Sequence, residues 1–66
     1  MNKVIVKTLV PKDQKEITSF DVSTISKEAF EEEVDQYEFI GMEYEKYLLD
    51  DNRKILILEY RRLNAN

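Results

Sequence analysis

From Lys3 to Val10, β-branched and apolar side chains are interleaved with lysines, and Pro11, Lys12, Asp13, Gln14 and Lys15 then break the run as a turn does. The pattern predicts a strand followed by a loop. The next run, Glu16 to Val22, carries Ile17, Thr18, Phe20 and Val22, residue types that favour a second strand paired antiparallel with the first. Ser23, Thr24 and Ser26 offer side-chain oxygens that can accept from the free N–H groups at a helix start, and Glu28 suits the positive end of its dipole. A helix is therefore expected from about Ser26 to Asp35. Ala29, Phe30 and Val34, with Ile25 before and Tyr37 after, recur at three- and four-residue spacings and would form its buried face.

Between Tyr37 and Leu49 two periods compete. Phe30, Val34, Tyr37, Gly41, Tyr44 and Leu48 fit a four-three repeat that would prolong the helix, with Gly41 contributing nothing to the seam. A strand is the preferred reading, because Tyr and Phe favour strands and because Asp50, Asp51 and Asn52 read as the turn of a hairpin. The last run, Arg53 to Leu63, is the clearest strand, with Ile55, Leu56, Ile57 and Leu58 continuously apolar. Such a run implies cover on both faces. A three-residue turn with a left-handed Asn52 would set Leu49 opposite Arg53 and Glu43 opposite Glu59. Ile40, Met42, Tyr44 and Leu48 would then share a face with Leu56, Leu58 and Tyr60 and receive the helix. The other face would hold Phe39, Tyr47, Leu49, Ile55, Ile57 and Leu63, too much apolar surface to leave wet. Either the first hairpin or a second copy of the chain must cover it.

Size sharpens that alternative. At 66 residues and 7.9 kDa the chain fits one domain, residues 1–66, and below roughly 70–80 residues a single core seldom contributes more than about 3–5 kcal/mol. Small scaffolds add disulfides, metals or a partner subunit. With no Cys and no His, thiolate and imidazole metal sites and disulfides are excluded. A homodimer is the remaining staple, with Phe39, Leu49, Ile55, Ile57 and Leu63 as its expected interface. The absence of cysteine fits a cytoplasmic setting. The apolar stretch near the N-terminus is too short and too interrupted by charge for a membrane span.

Charge is polarised along the chain. Residues 1–27 hold five lysines against three acids, residues 28–51 ten acids against Lys46, and residues 52–66 four bases against Glu59, for a net −4. The acidic band, Glu31, Glu32, Glu33, Asp35, Glu38, Glu43 and Glu45, is either a solvated face or a surface for a protein partner with a basic surface. Tyr37 and Tyr47 would anchor such a partner, since tyrosine combines contact area with a hydroxyl at low entropic cost. The same acids could imitate the phosphates of a nucleic acid and inhibit a DNA- or RNA-binding protein. Direct nucleic-acid binding is disfavoured by the net negative charge.

Catalysis finds little footing. Without His or Cys there is no imidazole base and no thiol nucleophile, and the serines lie in no nucleophile-elbow context. No catalytic residue is assigned and no cofactor is expected. Asp50, Asp51 and Asn52 lack the alternating ligands, glycine and closing glutamate of a calcium loop, and the single glycine excludes a phosphate-binding loop. The Lys-, Glu-, Ile- and Tyr-rich composition resembles that of short accessory proteins from bacteriophages or mobile elements. The resemblance covers composition alone, no motif carries it, and it implies a modulator of a host protein.

The expected architecture is thus α+β in the order β-β-α-β-β: a small antiparallel sheet with one helix packed on a face, in a homodimer. Its expected role is a non-catalytic protein-interaction module. A purely structural or assembly subunit is the third reading.

Overall fold

The computed structural model describes residues 3–63. The chain is α+β, with strand β1 (Lys3–Pro11), helix α1 (Ser19–Phe30), a 3-10 segment η1 (Glu31–Gln36), and strands β2 (Tyr37–Lys46) and β3 (Arg53–Arg62). The order is β-α-β-β, so the strand expected at Glu16–Val22 is replaced by a loop and the first turn of α1. The cause is a reciprocal cap. The Thr18 Oγ1 accepts from the Asp21 N–H at 3.1 Å, and Asp21 Oδ2 accepts from the Thr18 N–H at 3.0 Å. Two otherwise orphan donors are satisfied, which outweighs the strand preference of Ile17, Thr18 and Val22.

The helix therefore starts seven residues before the expected Ser26 and ends before the expected Asp35. Glu31 terminates it with φ 53° and ψ −122°, the one positive φ among the described non-glycine residues, while its N–H still reaches the Lys27 carbonyl. A Cβ is strained in that conformation. Glu31→Gly is accordingly expected to stabilise the fold by about 1 kcal/mol, read as a higher urea midpoint at unchanged slope. No gain would mean that the turn carries no strain.

The sheet order is β1-β3-β2, antiparallel throughout. β1 and β2 are consequently parallel to each other with β3 between them, and parallel strands can be joined only by a crossover of a dozen or more residues. The loop after β1, α1 and η1 form that crossover, which carries α1 across β3. Leu56, Leu58 and Tyr60 of β3 face α1 and are at most 2% exposed. Val4, Val6, Val10, Ile17, Ile25, Phe30 and Tyr37 close around them. Ala29, expected in the helix face, is exposed, and Val34 is half-buried on η1.

The hairpin of β2 and β3 exists, but in a different register. Lys46 lies opposite Lys54, Glu43 opposite Ile57 and Gly41 opposite Glu59, so neither the Leu49–Arg53 pair nor the Glu43–Glu59 pair forms. A longer loop, residues 47–52, replaces the three-residue turn, and Asn52 is not left-handed. Asp50 organises it: Oδ1 accepts from the Asn52 N–H and Oδ2 from Arg53 Nε, both at 2.8 Å. These two bonds, that to Asn52 first, hold the Asp50 carboxyl below the usual aspartate range.

A register shift between Phe39 and Gly41 makes Ile40 the extra residue of a bulge. Beyond it the alternation is reversed. Phe39 pairs with Tyr60, their ring centroids 5.7 Å apart, and so lies on the α1 side rather than beside Ile55 and Ile57. Leu48 and Leu49 project from the loop and Leu63 follows the end of β3; all three are exposed. The expected face of Phe39, Leu49, Ile55, Ile57 and Leu63 therefore does not assemble as one surface. Of these five, Ile55 and Ile57 keep their places on it, and Tyr47, also expected there, lines a cleft with Ile55, Leu9 and Lys7. Among the described residues no helix is long and apolar enough to cross a membrane.

Candidate interaction surfaces

The acidic band is divided by the fold. Glu31, Glu32, Glu33 and Asp35 lie exposed on η1, a segment fixed at both ends by an aromatic stack. The Phe30 and Tyr37 rings lie 3.9 Å apart and nearly parallel, and Tyr60 meets Phe30 edge-on at 4.9 Å. Tyr37 is thus a core contact, with the Arg62 guanidinium 5.9 Å from its ring centre. Among the described residues, the η1 carboxylates make no ion pair.

Glu38, Glu43 and Glu45 sit elsewhere, on the sheet face turned away from α1. From Glu38 to Glu45 the strand advances about 20 Å. Glu38 is bonded to Arg61, so its charge is neutralised locally. Tyr47 lies beyond the end of β2, half-buried, with the Arg53 guanidinium 5.6 Å from its ring centre. The structure thus brings together the four η1 acids, separates them from Glu43 and Glu45, and places neither Tyr37 nor Tyr47 with the η1 acids as a free anchor.

Two surface clefts of about 500 Å³ flank β2. The first, about 520 Å³, opens between the start of α1 and β2 and is lined by Ile17, Val22, Phe39, Ile40 and Met42 with Thr18 and Ser19 at its rim. Phe39, Ile40 and Met42 are each exposed. α1 lies over β3, which leaves this flank of β2 bare. Sequence reasoning missed this cleft because it depends on the early helix start and on the bulge; the signal that could have found it is the capping pair Thr18 and Asp21. The second, about 490 Å³, lies at the hairpin end and combines Lys12, Lys46, Arg53 and Lys54 with Glu45, Asp51 and two tyrosines. There the Lys54 Nζ sits 3.9 Å from the Tyr44 ring centre and donates to the Gln14 carbonyl at 2.7 Å. Its charge is committed to holding the loop after β1. Among the described residues, no three Asp or Glu side chains converge as a metal ion would require.

Fold and surfaces together define a class: a minimal α+β domain, a split β-α-β with its third strand inserted in the centre, displaying separate acidic and apolar surfaces. Comparison with family models, with curated proteins and with solved structures finds no match for this chain.

Proposed function

We propose that the chain is a non-catalytic protein-interaction module, acting in the cytoplasm as a homodimer and modulating a host protein through a basic surface on that partner. The observation that carries the reading is η1. Three consecutive glutamates and Asp35 stand exposed on a segment that the Phe30–Tyr37 stack holds in place, with no cation paired to them among the described residues. A solubilising surface needs charge but not a fixed arrangement. Carboxylates carried on an anchored backbone segment cost less backbone ordering when they meet a basic partner, and their charge steers its approach.

Affinity capture from the native host tests this with the wild type and an E31K/E32K/E33K variant, each at low and high salt. The expected result is a protein retained by the wild type and lost both in the variant and at high salt. Equal retention by wild type and variant would remove the acidic surface from the reading. Retention that persists at high salt through apolar contacts would instead favour a structural or assembly subunit. Competition by DNA or RNA for the captured protein would favour the nucleic-acid mimic.

A further inference from the structure

Among the described residues no element covers the sheet face away from α1, because β1 extends the same sheet instead of forming a hairpin folded across it. At its centre Ile57 stands between Lys7 on β1 and Glu43 on β2, and in the next row Ile55 stands between Leu9 and Glu45. Ile57 is only 5% exposed, wedged among its neighbours, while Ile5 is 51% and Leu9 38% exposed. The face therefore exposes its apolar surface at the β1 edge, where Ile5 and Leu9 flank Lys7, keeps Ile55 and Ile57 largely shielded along its middle, and is acidic at the β2 edge, where Glu43 and Glu45 stand.

The charges nearest its midline are already dealt with inside one copy. Glu59 Oε2 lies 3.0 Å from Lys3 Nζ. Its Oε1 lies 2.8 Å from where a Cβ of Gly41 would stand, so the missing side chain lets Glu59 lie flat on the sheet. Arg61 is drawn to Glu38. What remains without an ion pair on this face, among the described residues, is Lys7 on one edge and Glu43 and Glu45 on the other.

We infer that this face is covered by the same face of a second copy, related by a two-fold axis running along β3. Two orientations would bring the faces together with the axis in the contact plane. An axis along β3 lays β1 of each copy over β2 of the other, so that Lys7 meets Glu43 of the second copy twice, on either side of the row that holds Ile57. An axis across the strands lays Lys7 over Lys7 and Glu43 over Glu43. Charge selects the first. Packed sheets lie about 10 Å apart and about 30° from alignment, a gap that Lys and Glu side chains span together. Three strands of this length present a flat area of about 400 Å² per copy, about 800 Å² for the pair, which is less than the roughly 1,200 Å² of stable specific interfaces and makes the dimer weak and dependent on concentration. This inference rests on the reading of the chain as a homodimer and not on the acids of η1, which the pairing leaves free for another protein.

Sedimentation across a concentration series, on the wild type, K7E, E43K, their equimolar mixture and the K7E/E43K double variant, tests it. The wild type should dimerise, and each single variant should weaken the dimer at least about tenfold by setting like charges face to face. The mixture should recover association, because a mixed dimer sets a glutamate of the K7E copy against a lysine of the E43K copy at both contacts. The double variant should recover it alone. Both positions are exposed, so amide spectra should report a retained fold. If one reversal perturbs it, K7A and E43A probe the same contact with a smaller loss. A wild type that stays monomeric overturns both the homodimer and this geometry. Single variants that dimerise like the wild type, or a mixture that stays monomeric, overturn the geometry alone.

Discussion

Leu58→Ala is expected to leave the chain largely unfolded. Leu58 is fully buried at the centre of the central strand, between Val6 of β1 and Met42 of β2 and on the side facing α1. Truncating a buried leucine costs about 2–5 kcal/mol, the upper half of that range applying where neighbours cannot collapse into the void. Here both flanking residues are tied to β3 by the ladder, so collapse is restricted and about 3–5 kcal/mol is expected. A domain of this size commands a similar total. Leu58→Met, which nearly conserves volume, should cost less than about 1.5 kcal/mol. Urea unfolding of both variants, at one fixed dilution so that self-association does not enter, checks the contrast. Equal effects would mean that the core tolerates a void at its centre.

The second large effect concerns Ser26, the one buried serine, threonine, amide or charged residue among the described residues. Ser26 faces the sheet in the middle of α1, its Oγ 2.7 Å from the Val22 carbonyl and 2.6 Å from the Tyr60 hydroxyl. The proton count assigns the direction. A carbonyl oxygen only accepts, so the single Ser26 proton goes to Val22, and the Tyr60 O–H donates to Ser26 Oγ. Ser26→Ala then strands the Tyr60 hydroxyl, in a residue only 2% exposed, at a cost of about 1–3 kcal/mol. Tyr60→Phe removes a donor but leaves Ser26 bonded to Val22, so about 1 kcal/mol is expected. The double variant should be less destabilised than the two single effects added, since the stranded group is gone. Denaturant unfolding of the four proteins gives the coupling directly. Strict additivity would show that the two hydroxyls do not depend on each other.

Ser26 also shows why the helix was misplaced by sequence reasoning. A helix facing a sheet announces itself by apolar residues at every inward turn, and here one of those turns carries a serine that hydrogen bonding satisfies. With that position silent, Ile17, Thr18, Phe20 and Val22 looked like a strand and Ser26 like a cap. The three real strands were legible because each has a local signature: lysines alternating with valines in β1, aromatic residues in β2, the apolar run in β3. That run suggested a strand covered on both faces. Its centre position in the sheet explains the pattern instead, since Ile57 is shielded from the side by Lys7 and Glu43. The order of the strands was not legible, because no local pattern states which partner β1 takes. The bulge at Ile40 escaped for a related reason: one extra residue reverses a face without disturbing composition. The acids were all visible, but the 3-10 segment and the bulge separated what the sequence placed in one band.

The central place of the last strand bears on how the chain acquires its shape. Val4 and Tyr60 are partners in the ladder, as are Pro11 and Arg53, so every β1 contact in the sheet spans most of the chain. Before β3 has been synthesised, β1 and β2 have no neighbour to bond and α1 has no surface to cover. A helix of 12 residues is marginal by itself in water, so little structure should persist in a nascent chain that stops short of Arg53. Folding is then a late event. The β2–β3 hairpin closes over the short loop 47–52, but β1 gains its first ladder bond only by closing the whole stretch from Pro11 to Arg53, which slows folding relative to a local topology of the same size.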